Sequence, residues 1–145
     1  MVSLTHVDVG ESGQKRSSEG GFDRTEFWRY CVITEQAARQ RSIKIGIPCT
    51  VDRYYIDGLL VDQKWRCAVS GLVLHPPRSS DEFARNPFSP SLDRITPTLG
   101  YVAGNVRIVC TMVNLAMNEW GLENLNILVR AMASRNQGLT GVGNG

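Results

Sequence analysis

A chain of 145 residues is the size of one domain around one hydrophobic core, enough to bury roughly two-thirds of its unfolded surface. Apolar content of 42%, charged content of 21% and a formal net charge of +2 are those of a soluble protein, and no apolar run approaches the roughly 20 residues that a membrane helix needs. The expectation is therefore a cytoplasmic protein with no membrane partner, weakly basic overall, in which phosphate contacts would come from local clusters of cations.

The first 22 residues, rich in Gly, Ser and charge and lacking the apolar stretch of a secretory signal, are expected to form a disordered tail. A single domain is expected over 23–135, followed by a flexible Gly-rich tail over 136–145. Within the domain, "FDRTEFWRYCVITEQAARQ" spaces Phe27, Tyr30, Cys31, Ile33 and Ala37 three and four apart, which predicts an amphipathic helix ending near Arg41. Arg24, Arg29, Arg39, Arg41 and Lys44, the last three near the end of that segment, form a candidate phosphate-contacting cluster, with a solvated helix face as the alternative. "SIKIGIPCTV" alternates apolar and polar residues, as a short extended segment or edge strand does. Asp52 is placed to cap a second helix, "RYYIDGLLVDQKW".

A tight turn around Ser70 and Gly71 and a brief strand ended by His-Pro-Pro lead into a long polar loop. "SLDRI" and "VRIVC" then read as two strands joined by the turn-forming "TPTLGYVAGN". "TMVNLAMNEW" carries Met112, Leu115, Ala116 and Trp120 at helical spacings, and "LENLNILVRAMASR" sets Leu122, Leu125, Leu128 and Met132 inward in a terminal helix. The fold class implied is α+β.

The four cysteines, Cys31, Cys49, Cys67 and Cys110, form no Cys-x-x-Cys pair. Ser70 and Val113 stand three residues after Cys67 and Cys110, so two zinc half-sites each lack a ligand, and buried reduced thiols are the simpler expectation.

Chemistry concentrates between residues 89 and 120. A strand, long loop, strand and helix, with an acid on the first strand and an amide on the helix, can gather hard oxygen donors around one divalent ion. Asp93 and Asn114 are the candidate ligands, with solvent and substrate phosphate completing a Mg2+ or Mn2+ shell. Asn118, one helical turn beyond Asn114, is expected on the same face as a supporting, substrate-facing group.

This arrangement resembles the HNH, or ββα-metal, endonuclease family, whose motif has an Asp-His pair, a central Asn and a final His or Asn on the helix. Asp93, Arg94, Asn105 and Asn114 match those places in order, and nine residues separate Asn105 from Asn114, as in members whose last motif residue is Asn. "GNVRIVC" resembles the family's lead into its helix, and "ARQRSIKIGIPCTV…LLVDQKWRCAVSG" is similar to the helical lead and first cysteine knuckle of phage and bacterial members. The resemblance spans roughly residues 35 to 120. It implies a ββα-metal core between helical extensions, Asp93 and Asn114 on the metal, Asn105 pinning the loop, Arg94 facing the attacking water, and DNA phosphodiester hydrolysis.

One position departs from the pattern. The residue after the Asp is a proton-accepting His in the family, and here it is Arg94, whose guanidinium has five donors and no acceptor. Arg94 could instead clamp a phosphate through two parallel hydrogen bonds, or pair with Asp93. His75, eighteen residues before Asp93, is the one histidine outside the leading tail that could supply a base, and a solvated loop position is the alternative. A catalytically inactive nucleic-acid-binding module and a zinc-ribbon-like structural domain remain as competing readings.

Overall fold

The computed structural model of the chain describes residues 24–76 and 86–140. The expected N-terminal tail, most of the polar loop before the hairpin, and residues 141–145 lie outside the described residues. Helices α1 (Arg24–Ile45) and α2 (Arg53–Asp62) precede strand β1 (Pro90–Arg94), a 3-10 turn (Pro97–Leu99), strand β2 (Val106–Cys110), and helices α3 (Thr111–Met117) and α4 (Gly121–Thr140). Helices and one antiparallel hairpin make an α+β architecture.

Helix α1 runs four residues past the expected stop, so the alternating isoleucines belong to helix rather than to an extended segment: Ile43 is 82% exposed, and Gly46 at φ +72° ends the helix. The buried stripe is Phe27, Cys31, Glu35, Ala38 and Ser42, whereas Ile33 and Ala37 face outward. The helix therefore turns a partly polar stripe inward, and each polar member is satisfied. Glu35 accepts from the Arg53 backbone N–H and from Arg53 Nε at 2.6 Å, pairs with Arg39 at 3.0 Å, and so ties α1 to α2. Ser42 donates to the Arg39 carbonyl.

Asp52 caps α2 as expected, its carboxylate accepting from the Tyr55 N–H at 2.8 Å. The helix stops at Asp62, three residues early, because Lys64 and Trp65 adopt positive φ in the turn that follows. Gln63, at its C-terminus, bonds both backbone groups of Ile108, donating to the carbonyl and accepting from the N–H, and so covers the outer edge of β2. The turn at Ser70 and Gly71 forms, with Gly71 at φ +71°, and the expected brief strand is only the bridge Arg66 to Val73.

The hairpin pairs Pro90 with Cys110 through Arg94 with Val106. Side chains alternate across a strand, so Leu92, Val106, Ile108 and Cys110 share one face, while Ser91, Asp93, Arg107 and Val109 share the other. The first face joins Ile56 and Leu60 of α2 in the core; α3 packs on the hairpin with Val113 and Met117 buried.

Helix α3 does not continue to Trp120. Asn118 leaves it at φ +36°, so Val113 and Met117 point inward, and Met112, Leu115 and Trp120 are 45%, 61% and 65% exposed. In α4, Leu122 and Leu125 are half-buried, but Leu128 and Met132 are exposed, against expectation. That helix also extends to Thr140, through residues expected to be a flexible tail.

Candidate functional site

The second face of the hairpin, the exit of α3 and the end of α1 enclose a cavity of about 870 Å³. Asp93, Arg94, Asn114 and Asn118 all line it, together with Arg41, Arg107, Ser91 and Glu119. The strand residue and the helix residue proposed as ligands thus face one space.

Asp93 is half-buried, and its Oδ2 accepts from Arg107 Nε at 2.8 Å. The pairing follows from register, since Arg107 lies directly across the hairpin from Asp93. Asn114 donates its Nδ2 to Ser91 Oγ at 2.7 Å, which fixes the amide and leaves its oxygen as the acceptor end. Ser91, two residues before Asp93 on the same face, is therefore the support for Asn114. Neither partner was singled out from sequence, although the period of two along β1 and the hairpin register would have found both.

Arg94 is the last residue of β1, and its side chain leaves the strand on the face opposite to that of Asp93. It reaches the cavity because the cavity opens around the strand end. Its guanidinium lies 5.0 Å over the Tyr101 ring and donates one bond to the Pro97 carbonyl at 3.2 Å. It does not pair with Asp93: Arg107 takes that place. Most of its donors stay available in a side chain already held over an aromatic ring.

Asn105 is buried and pins the loop. Its Nδ2 donates to the carbonyls of Thr96 and Gly100, and its Oδ1 accepts from the Thr96 N–H, all at 2.8–2.9 Å. The backbone adds Ile95 N–H to the Asn105 carbonyl. The loop is locked from the far side as well: a Cβ on Gly100, at φ +82°, would stand 2.3 Å from the Pro48 carbonyl oxygen.

Of the expected cationic cluster, Arg41 alone lines the cavity, where it donates to the Tyr101 hydroxyl at 2.9 Å. Arg39 is turned to Glu35, and Lys44 is exposed on the last turn of α1 away from the lining. Asn118 lines the cavity from the C-cap of α3, with its N–H on the Asn114 carbonyl, rather than from a further helical turn. His75 lies against Phe88, the two rings tilted with centroids 5.6 Å apart, and does not line the cavity. Glu119, which sequence reasoning passed over, is exposed and also borders the cavity.

The donor set is one carboxylate, one amide oxygen and one hydroxyl, all hard oxygens. It fits an ion of the Mg2+ type, which keeps several waters and is held by one or two carboxylates plus substrate phosphate. It does not make an all-protein cage: among the described residues no three His, Cys, Asp or Glu side chains come together. Three arginines, Arg41, Arg94 and Arg107, stand against two carboxylates in the lining, so the cavity by itself favours an anion over a bare cation.

Cys67 and Cys110 are buried on neighbouring segments joined by the Ala68 N–H to the Ile108 carbonyl. Burial raises both thiols. At Cys67, hydrogen bonds from Ser70, Cys110 and Val69 outweigh it and pull the thiol net below its ordinary range, while Cys110 stays raised. Cys31, deeper and near Asp57, is pushed up to about 12. All four cysteines are free, and Ser70 offers its N–H to Cys67 Sγ at the place where a knuckle would carry a ligand. No helix among the described residues is long and apolar enough to cross a membrane. Comparisons with protein-family models, with curated proteins and with solved structures return no match for this chain.

Proposed function

We propose that this chain is a metal-dependent endonuclease of the HNH, ββα-metal type, hydrolysing DNA phosphodiester bonds. The observation that carries the reading is the convergence of Asp93 from β1 and Asn114 from α3 on one arginine-rimmed cavity, beside a hairpin loop held by Asn105. Asp93 and Asn114 would hold Mg2+ or Mn2+, and the bound ion would lower the pKa of water and neutralise charge on phosphate oxygens. Because Arg41, Arg94 and Arg107 line the cavity and disfavour a bare dication, a bound phosphate would supply the charge that makes the ion's place favourable.

The protein's own groups then divide the work. Arg107 orients Asp93 through Oδ2, and the free Oδ1 is the oxygen that would hold the ion. Ser91 fixes the Asn114 amide so that its oxygen points the other way. Arg94 swings one or two donors from the Pro97 carbonyl to nonbridging oxygens, where it stabilises charge that grows in the transition state. The proton that the absent histidine would accept goes to Glu119, the remaining carboxylate of the lining.

Plasmid nicking with Mg2+ or Mn2+ tests the reading. Wild type nicks, Asp93→Ala loses activity by at least about 10³-fold, and Glu119→Gln loses about 10²-fold while binding DNA as before. Equal activity in wild type and Asp93→Ala, or none in either, counts against it. The second outcome would favour the other reading, a nucleic-acid-binding module without chemistry, for which the Asp93–Arg107 ion pair and the cationic excess of the lining speak.

A further inference from the structure

Cys67 and Cys110 lie far apart in the sequence, and the fold brings them together. Cys67 stands in the turn after α2, where the Ala68 N–H donates to the Ile108 carbonyl of β2 at 2.9 Å, and Cys110 is the last residue of that strand. Their side chains meet, the Cys110 thiol hydrogen-bonding the Cys67 sulfur. Both are free, at 2% and 0% exposure.

Packing alone asks only for two small apolar groups here. The Cys67 sulfur is instead ringed by donors: the N–H groups of Val69, Ser70 and Cys110 and the Ser70 hydroxyl all bond it, the Ser70 N–H at 3.4 Å. Donors of this kind favour a thiolate, while Cys110 keeps its proton. The pair is therefore asymmetric, with one sulfur equipped as a nucleophile and a protonated thiol held against it. Its cover is also thin. Arg66, Ala68, Ser70, Gly71 and Leu72 are exposed, so the turn over Cys67 is itself surface, closed by the Cys67 N–H on the Leu72 carbonyl and the Gly71 N–H on the Cys67 carbonyl. Local opening of such a turn admits a molecule as small as a peroxide.

We infer that Cys67 and Cys110 form a reversible disulfide when the protein meets hydrogen peroxide, Cys67 as the attacking sulfur and Cys110 as the resolving one. The Cys67 sulfur attacks one peroxide oxygen, the O–O bond breaks and water leaves, which makes a sulfenic acid. The Cys110 sulfur then attacks Cys67, the S–O bond breaks, and a second water carries off the Cys110 proton as the S–S bond forms. In balance, two thiols and one hydrogen peroxide give one disulfide and two waters, two electrons passing from sulfur to oxygen. The bridge ties the turn after α2 to the end of β2, where α3 begins, and a dithiol reverses it. This inference is independent of the proposed nuclease activity.

Treating the folded full chain with a few equivalents of hydrogen peroxide, then unfolding it, alkylating free thiols with iodoacetamide and mapping tryptic peptides tests it. Expected are alkylated Cys31 and Cys49, and peptides 67–78 and 108–130 joined in one product, lighter than their sum by two hydrogens and released by dithiothreitol. The bridge closes a loop of about 40 residues, so the oxidised form melts roughly 10 °C above the reduced one. In Cys110→Ser the joined product is lost and dimedone traps a sulfenic acid on Cys67. Four alkylated cysteines after peroxide overturn the inference, as does a disulfide to Cys31 or Cys49. A joined product that forms only in urea-unfolded protein overturns it too, since the fold would then contribute nothing. Absence of the dimedone adduct in Cys110→Ser overturns the role given to Cys67.

Discussion

At the scale of single residues, the site is a set of constrained side chains rather than a set of free ones. Asp93 has one oxygen committed to Arg107, Asn114 has its amide nitrogen committed to Ser91, and Arg94 is laid on Tyr101. Each commitment removes rotamer freedom from a group that would act on a phosphate, which is how a first contact gains precision. Arg94→Ala should lower kcat by about 10²- to 10³-fold with a smaller change in DNA affinity, and Arg94→Lys should not restore it, since an ammonium lacks the planar fork. Single-turnover cleavage alongside binding by anisotropy separates the two effects. Asp93, Arg94 and Asn114 were legible in the sequence because, with Asn105, their types and order form a motif. Arg107, Ser91 and Glu119 were not, because nothing in their own identity marks them: the first two act through hairpin register, and the third through where the chain turns after α3.

Elements place these residues. The hairpin loop spans the gap between Arg94 and Val106, and its shape depends on Asn105, whose side chain replaces a missing stretch of ladder by bonding Thr96 twice and Gly100 once. Asn105→Ala leaves those backbone groups without partners and should destabilise the fold by about 2–4 kcal/mol in urea unfolding. The hairpin and the cap at Asp52 were readable because turn residues, alternation and capping chemistry are local. The helices misled where tertiary packing overrode local pattern. Helix α1 accepts Glu35 and Ser42 in its buried stripe only because Arg53 and Arg39 meet them, and α3 breaks at Asn118 despite an unbroken apolar spacing.

Glu35 also carries a pH dependence. The hydrogen bond from Arg53 holds its carboxyl below the ordinary glutamate value, against the opposing effect of burial, with Arg39 adding to the shift. A depressed folded-state value means that its stabilisation is fully present above the unfolded pKa, near 4.5, and is lost as pH falls through the lower folded value. The melting temperature of wild type should therefore fall more steeply below about pH 4.5 than that of Glu35→Gln, which has no proton to take up. Parallel slopes for the two proteins would remove Glu35 from the acid response.

For the whole molecule, a net charge of +2 says little about partners, yet its distribution does. Arginines from α1, β1 and β2 meet at the cavity, while three acids of the helical part are engaged elsewhere: Glu35 with Arg39 and Arg53, Asp57 with Arg24, and Asp52 as a cap. A weakly basic chain thereby offers a locally cationic recess whose floor holds one carboxylate and one amide. On the proposed function, these two side chains take up a divalent ion together with a nucleic acid phosphate. Mn2+ titration followed by electron paramagnetic resonance, with and without a short DNA duplex, tests it most directly. Expected are weak uptake by the protein alone, one tighter site when the duplex is present, and loss of that site in both Asp93→Ala and Asn114→Ala. A duplex-dependent site that survives both substitutions, or no such site in wild type, would contradict it.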